Sequence, residues 1–136
     1  MKNLSVILLA SLMFTACSDK KKQEKELLNN VLKVHDRVMN KDEVLTKNKM
    51  VLDSLLKLPV KDSAEKTNMK AIDLKLASAE EAMETWMHKF EPDITNKSHE
   101  EIVKYYSDQK KGIMTVDSLM NAAITESTKY LSSRSK

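Results

Sequence analysis

Apolar side chains recur in steps of three and four along most of this chain, the spacing that lines one face of a helix. The first such stripe takes in Leu28, Val31, Leu32, His35, Val38, Leu45, Leu52, Leu55 and Leu56. It predicts a helix from about Glu24 to Leu58, stopped ahead of Pro59, because a residue preceding proline avoids helical geometry. The second stripe, Met69, Ile72, Leu76, Ala79, Met83, Trp86 and Phe90, alternates like a heptad seam. Its helix starts after Asp62, a capping residue with Glu65 placed to complete a capping box, and ends near Phe90, before Pro92. The third runs through Ile102, Tyr106, Gln109, Ile113, Val116, Met120, Ala123 and Tyr130, and opens at Ser98 with Glu101 three residues on, another capping box.

Each helix has one apolar face and a charged remainder, so none is stable alone. Short connections set neighbours antiparallel, which predicts an all-α, up-down-up three-helix bundle with coiled-coil-like packing. The alternative is an elongated helical hairpin that completes its core by dimerising. One Gly and two Pro in 136 residues leave few turns, and strand signals are absent. Gly112 falls inside the third helix, where glycine costs about 1 kcal/mol, and marks a kink or a close contact. Asp42 and Lys49 interrupt the first stripe at near-core spacing, where a polar residue either pairs with the second helix, sets register or marks a wet face.

The chain begins differently. Lys2 precedes an apolar stretch from Leu4 to Ala16, the order of a secretory leader. As a helix that stretch would span roughly 20 Å, short of the ~30 Å hydrocarbon core of a bilayer. Phe14-Thr15-Ala16-Cys17 resembles a lipobox, with Phe14 where Leu is more usual, and Cys17 is the only cysteine in the chain. The expectation is a leader over residues 1–16, lipid attachment at Cys17, a polar tether over 17–23 and a bundle over 24–136. Acylation would consume the sole thiol, so neither a disulfide nor thiol catalysis is expected. Two or more acyl chains at ~0.8 kcal/mol per buried methylene would hold the protein stably on a membrane.

Cleavage there removes Lys2 from 23 basic residues and nothing from 20 acidic ones, leaving a formal balance of +2. So small a charge lacks the footprint of nucleic-acid binding. Lys20, Lys21, Lys22 and Lys25 follow the lipid site, as an anionic-headgroup contact or a solvated spacer. Asp19, two residues after the cysteine, signals inner-membrane retention in some bacteria, which leaves inner and outer membrane both open.

Folding the first two helices about Val60 pairs residues whose numbers sum to about 120, within the usual error of element ends. His35 then meets Trp86, and Met39 meets Met83. A turn near Asp93 or Ile94 sets Trp86 beside Ile102 and Met83 beside Tyr106. One end of the bundle thus gathers His35, Met39, Met83, Trp86, Met87, Tyr105 and Tyr106. Methionines that fill gaps against rings, with His35 bonded to Tyr106 or water, account for this level as packing. The sharper alternative is a soft site for a Cu(I)-type ion, with His35, Met39, Met83 and Met87 as ligands and the Trp86 indole as its cover. A small apolar ligand is a further alternative.

Other chemistry lacks its residues. Leu32, Thr85 and Asn96 stand three before the histidines, so the Glu-x-x-His pairs of di-iron bundles are missing, and His99-Glu100-Glu101 has no second His to make a zinc-protease helix. A phosphate-cradling glycine loop and a nucleophile elbow are equally missing. Catalysis and a cofactor are not expected.

Two segments carry a family resemblance: Val34-His35-Asp36-Arg37-Val38-Met39, and Glu81-Ala82-Met83-Glu84-Thr85-Trp86-Met87-His88-Lys89-Phe90. They resemble a family of small bacterial envelope lipoproteins often labelled "viral A-type inclusion protein", a label that reflects coiled-coil similarity. The family pairs a His-Asp-x-Val-Met segment with an Ala-Met-x-x-Trp-Met segment after a lipobox; Asn40 stands here where it has Pro. The resemblance spans most of the chain beyond Cys17. It implies an envelope location and helical architecture, with no established activity and no catalytic residues. The expected role is therefore a periplasm-facing, lipid-anchored binding or scaffold module. Its expected partners are the membrane, reached through the lipid, and another envelope protein or a second copy.

Overall fold

The computed structural model describes the backbone of residues 4–134 and the side chains of residues 18–134. It contains three helices, α1 (Leu4–Leu56), α2 (Ser63–Lys89) and α3 (His99–Arg134), packed pairwise as an all-α bundle. The side chains of the leader and of Cys17 lie outside the described residues.

Successive short connections make α2 antiparallel to both neighbours, so α1 and α3 run the same way. Their side-chain bonds show it directly. Residues of α1 meet residues of α3 between 75 and 80 positions further on: Glu24 with His99, Lys41 and Arg37 with Asp117, Asn48 with Ser127 and Thr128. A constant offset is what two parallel helices in fixed register produce.

The core face of α1 is two heptad lines. One reads Glu24, Val31, Val38, Leu45, Leu52, and the other Leu27, Val34, Lys41, Asn48, Leu55. Val31, Val34, Val38, Leu45 and Leu52 are buried. Leu32, expected on this face, is 41% exposed, and Val34 takes its place. The reason is periodicity: over many turns a stripe follows seven-residue steps, and Leu32 lies one position past Val31 on the outward side. Asp42, expected near the core, is exposed. Lys49 instead reaches across to Glu80 of α2 at 3.3 Å.

The three polar residues within the two lines each meet a specific partner on α3. Glu24 Oε1 lies 2.7 Å from His99 Nδ1, and Lys41 Nζ donates to Asp117 Oδ1 at 2.6 Å. Buried Asn48 donates through Nδ2 to Ser127 Oγ at 2.8 Å and to Thr128 Oγ1 at 2.9 Å. Slipping α3 along α1 would break all of them and strand buried polar groups, so they set the register, as buried asparagines do in coiled coils.

Cores of α2 and α3 follow their stripes closely. Met69, Ile72, Leu76, Ala79 and Met83 are buried on α2, and Ile102, Tyr106, Ile113, Val116, Met120, Ala123 and Ser127 on α3. Asp62 caps α2, its Oδ1 accepting from the Ala64 N–H at 2.8 Å. Glu65 does not close the expected capping box. Its carboxylate turns to Arg134 and to the Tyr130 hydroxyl, tying the start of α2 to the end of α3. The box at Ser98 is complete: its N–H donates to Glu101 Oε2 at 2.7 Å, and the Glu101 N–H returns to Ser98 Oγ at 3.3 Å.

Two elements depart from expectation. Residues 18–23 form part of α1 instead of a separate polar tether, and Lys20 pairs with Glu100 at 3.6 Å. Three lysines and a glutamine in this run give it ample helix propensity once α3 offers it partners. Second, α3 sits about one heptad further along α2 than a tight turn would place it. Trp86 meets Gln109 and Gly112, seven or more residues beyond the expected Ile102. The connection 90–98 is the cause. Phe90 leaves α2 extended, at ψ 115°, and the chain runs past the helix end before turning back. The Tyr105 hydroxyl clamps it there, donating to the Glu91 carbonyl at 3.1 Å and accepting from the Glu91 N–H at 2.7 Å. The first turns of α3 therefore overhang α2 and meet α1 at Lys20 and Glu24.

Candidate functional site

The richest level of the bundle is a ladder of rings crossing all three helices. His35 of α1 faces Trp86 of α2 at 5.9 Å between centroids, and Trp86 stacks on Phe90 at 5.3 Å. Phe90 meets Tyr105 at 6.1 Å, and Tyr105 meets Tyr106 at 5.4 Å on α3. Such offset and tilted pairs add about 0.5–1.5 kcal/mol each beyond burial.

Gly112 makes the ladder possible. A β-carbon there would lie 3.1 Å from Trp86 Cδ1 and 3.3 Å from Nε1. Its absence lets the indole rest against α3 and donate its N–H to the Gln109 carbonyl at 3.2 Å. The close contact expected of this glycine is present, and the residue it admits is the tryptophan.

Of the level expected from the sequence, His35, Trp86, Tyr105 and Tyr106 come together, joined by Phe90. The methionines divide. Met83 is buried, whereas Met39 is 41% and Met87 47% exposed. His35 Nδ1 lies 3.1 Å from Asp36 Oδ1, and among the described residues no hydrogen bond joins the imidazole to Tyr106, one of its two expected partners. Among the described residues no group of three His, Cys, Asp or Glu is arranged to hold a metal ion. Tyr106 is 2% exposed; burial first, then Tyr105 and Glu24, push its phenol above its ordinary pKa, so it stays protonated at neutral pH. The arrangement stacks and orients rings, and an open depression of about 500 Å³ lies between α2 and α3 beside Trp86 and Gly112.

Two charged contacts escaped the sequence reading. At Glu24–His99 both side chains are mostly buried, and an ionised carboxylate there requires the proton on His99 Nδ1. At Asp117, 14% exposed, Lys41 and Arg37 converge at 2.6 and 2.9 Å. Burial pushes the Asp117 carboxyl up, but the hydrogen bonds from Lys41 and Arg37 outweigh it and hold its pKa below the ordinary value. The signal that could have found both was the polar residue within each α1 heptad line.

Asp73, facing α1 from α2, is the opposite case. Its Oδ1 is enclosed and accepts no hydrogen bond among the described residues. Burial, then the neighbouring Asp53, raise its pKa against the pull of Lys49. An acid whose folded pKa is raised weakens the fold at neutral pH, and that penalty disappears as pH falls through the raised value. Asp73→Asn should therefore raise the melting temperature at pH 7, by less than ~1 kcal/mol in stability. The gain should vanish in melts run in acid; equal gains at pH 7 and pH 3 would contradict the assignment.

No family model, curated protein or solved structure matches this chain. Among the described residues, no helix is long and apolar enough to cross a membrane.

Proposed function

We propose that the protein is a lipid-anchored helical scaffold of the bacterial envelope, acylated at Cys17 and working by binding a protein partner instead of by catalysis. The observation that carries this reading is the absence of slack after the lipobox cysteine. Residues 18–24 are helical and fastened to α3 by Lys20–Glu100 and Glu24–His99. Lipid on Cys17 would thus hold the whole bundle in a defined attitude, the useful property in a scaffold and a needless one in a freely swinging enzyme. The two connections support the same reading. Enzymes usually carry reacting groups on loops, and here loop polar groups are engaged in caps: Asp62 with Ala64, Asp93 with Thr95, Ser98 with Glu101. The likeness to envelope lipoproteins at residues 34–39 and 81–90 agrees with it.

The test is lipid labelling of the full chain in a bacterial host. Labelled palmitate should enter the wild-type protein, and Cys17→Ser should lose the label and leave the membrane fraction. An intact mass showing an uncut N-terminus, or a processed chain with a bare thiol, would overturn the proposal.

A further inference from the structure

The face of α1 turned away from the bundle carries more apolar surface than a solvated helix needs. Leu32, Met39 and Met50 run along one edge of the outward side, roughly 100–140° around the helix from Val31, Val38 and Leu45, with Val44 and Val51 along the other edge and Glu43 and Lys47 between them. Met50 is 65% exposed. An open depression of about 460 Å³ sits at the middle of this face, lined by Asp42, Glu43, Thr46, Lys47, Met50 and Val51. At its centre Glu43 and Lys47 enter no ion pair among the described residues, although most other charges near the helix contacts do.

We infer that this face binds a second copy of the chain, α1 against α1, antiparallel about a two-fold axis near Val44. The charges select the arrangement. A two-fold contact repeats every pairing, so it must be self-complementary. Antiparallel helices centred there join residues whose numbers sum to about 90. Glu43 then faces the partner's Lys47, and by symmetry Lys47 faces the partner's Glu43. Met39 packs on the partner's Met50, and Val44 on the partner's Val44. A parallel pair would instead set Asp36, Glu43 and Lys47 each against its own copy, like charge on like charge. The apolar residues supply the contact, and the central charges decide its direction.

The inference rests on the scaffold reading for the surface it uses and does not depend on lipidation. Taken with lipidation it has a geometric consequence. At 1.5 Å per residue, the two Cys17 positions lie about 80 Å apart at opposite ends of the pair. Both can reach one bilayer only if the dimer lies along it.

Cysteine cross-linking of the full-length chain in native membranes tests this, read against the unsubstituted chain. Val44→Cys should give a homodimer band on mild oxidation, because the residue faces itself across the axis. Leu32→Cys should give none, because its two copies are roughly 37 Å apart. Adding Glu43→Lys to Val44→Cys should lower the dimer band by roughly tenfold, and further adding Lys47→Glu should restore it. Equal bands from Leu32→Cys and Val44→Cys would mean a parallel pair and overturn the inference, as would no band from Val44→Cys. A Val44→Cys adduct of a different mass would overturn the second-copy assignment while leaving the scaffold reading standing. Loss of palmitate label with an intact Val44→Cys dimer would do the reverse.

Discussion

Replacing Trp86 with alanine is expected to lower stability by about 3 kcal/mol, which would drop the melting temperature by roughly 10 °C. The indole joins three helices at once: His35 on α1, Phe90 at the end of its own helix, and the α3 backbone at Gln109 and Gly112. Its removal opens a cavity at a point where all three must close together. Trp86→Phe should be milder, near 1 kcal/mol, since a ring remains and only the N–H bond is lost. Gly112→Val attacks the same contact from the other side. A β-carbon already at 3.1 Å, with a branch beyond it, forces the indole off α3 at a cost of about 1–3 kcal/mol. Because Trp86 is the only tryptophan, its emission reports that displacement directly. Thermal melts in which Trp86→Ala matches wild type would show that the ladder decorates the fold without supporting it.

Asp117→Ala should destabilise the bundle by about 2 kcal/mol at neutral pH, because Lys41 and Arg37 then face each other with no counter-charge. The loss is smaller than for a fully buried pair because Arg37 is half exposed and its charge is screened by solvent. The pH dependence has a definite sign. The folded pKa of Asp117 lies below its ordinary value, so its contribution is complete above about pH 4 and is lost as pH falls through the folded pKa. Wild type and Asp117→Ala should accordingly differ in denaturant midpoint at pH 7 and converge in strong acid. A difference that persists unchanged into acid would mean that the variant acts through packing and not through charge. Asp73 titrates in the opposite sense, so the two sites separate cleanly in the same set of melts.

The helices of this protein were readable because their signals are local. Every residue of the α2 stripe proved buried or half-buried, and the Asp62 and Ser98 starts hold as caps. The misreadings arose where a choice depended on a distant partner. Glu65 had the spacing for a capping box and went to Tyr130 and Arg134, which only the folded chain brings near. Leu32 and Val34 are equally apolar, and which one turns inward was settled by a seam running the length of α1. Asn48 reads as an ordinary polar residue until Ser127 and Thr128 arrive beside it.

The candidate site divides in the same way. Meeting of His35 with Trp86 follows from chain reversal near Val60, a matter of counting residues. The partner of Trp86 on α3 does not follow from counting, since the 90–98 connection overshoots and shifts α3 by about two turns. What decided that shift was Gly112 as a seat for the indole and Tyr105 as a clamp on Glu91, both contacts between segments remote in sequence.

By itself, then, the order of residues determined three helices, their polarity and their inward faces, because helix periodicity and capping act within a few residues of each other. Tertiary structure alone decided the axial register of α3, the pairing of Glu24, Lys41 and Asn48 with their partners, and the exposure of further apolar side chains on α1. Those outcomes depend on which surfaces remain to be satisfied after the helices meet, and no local pattern contains that information.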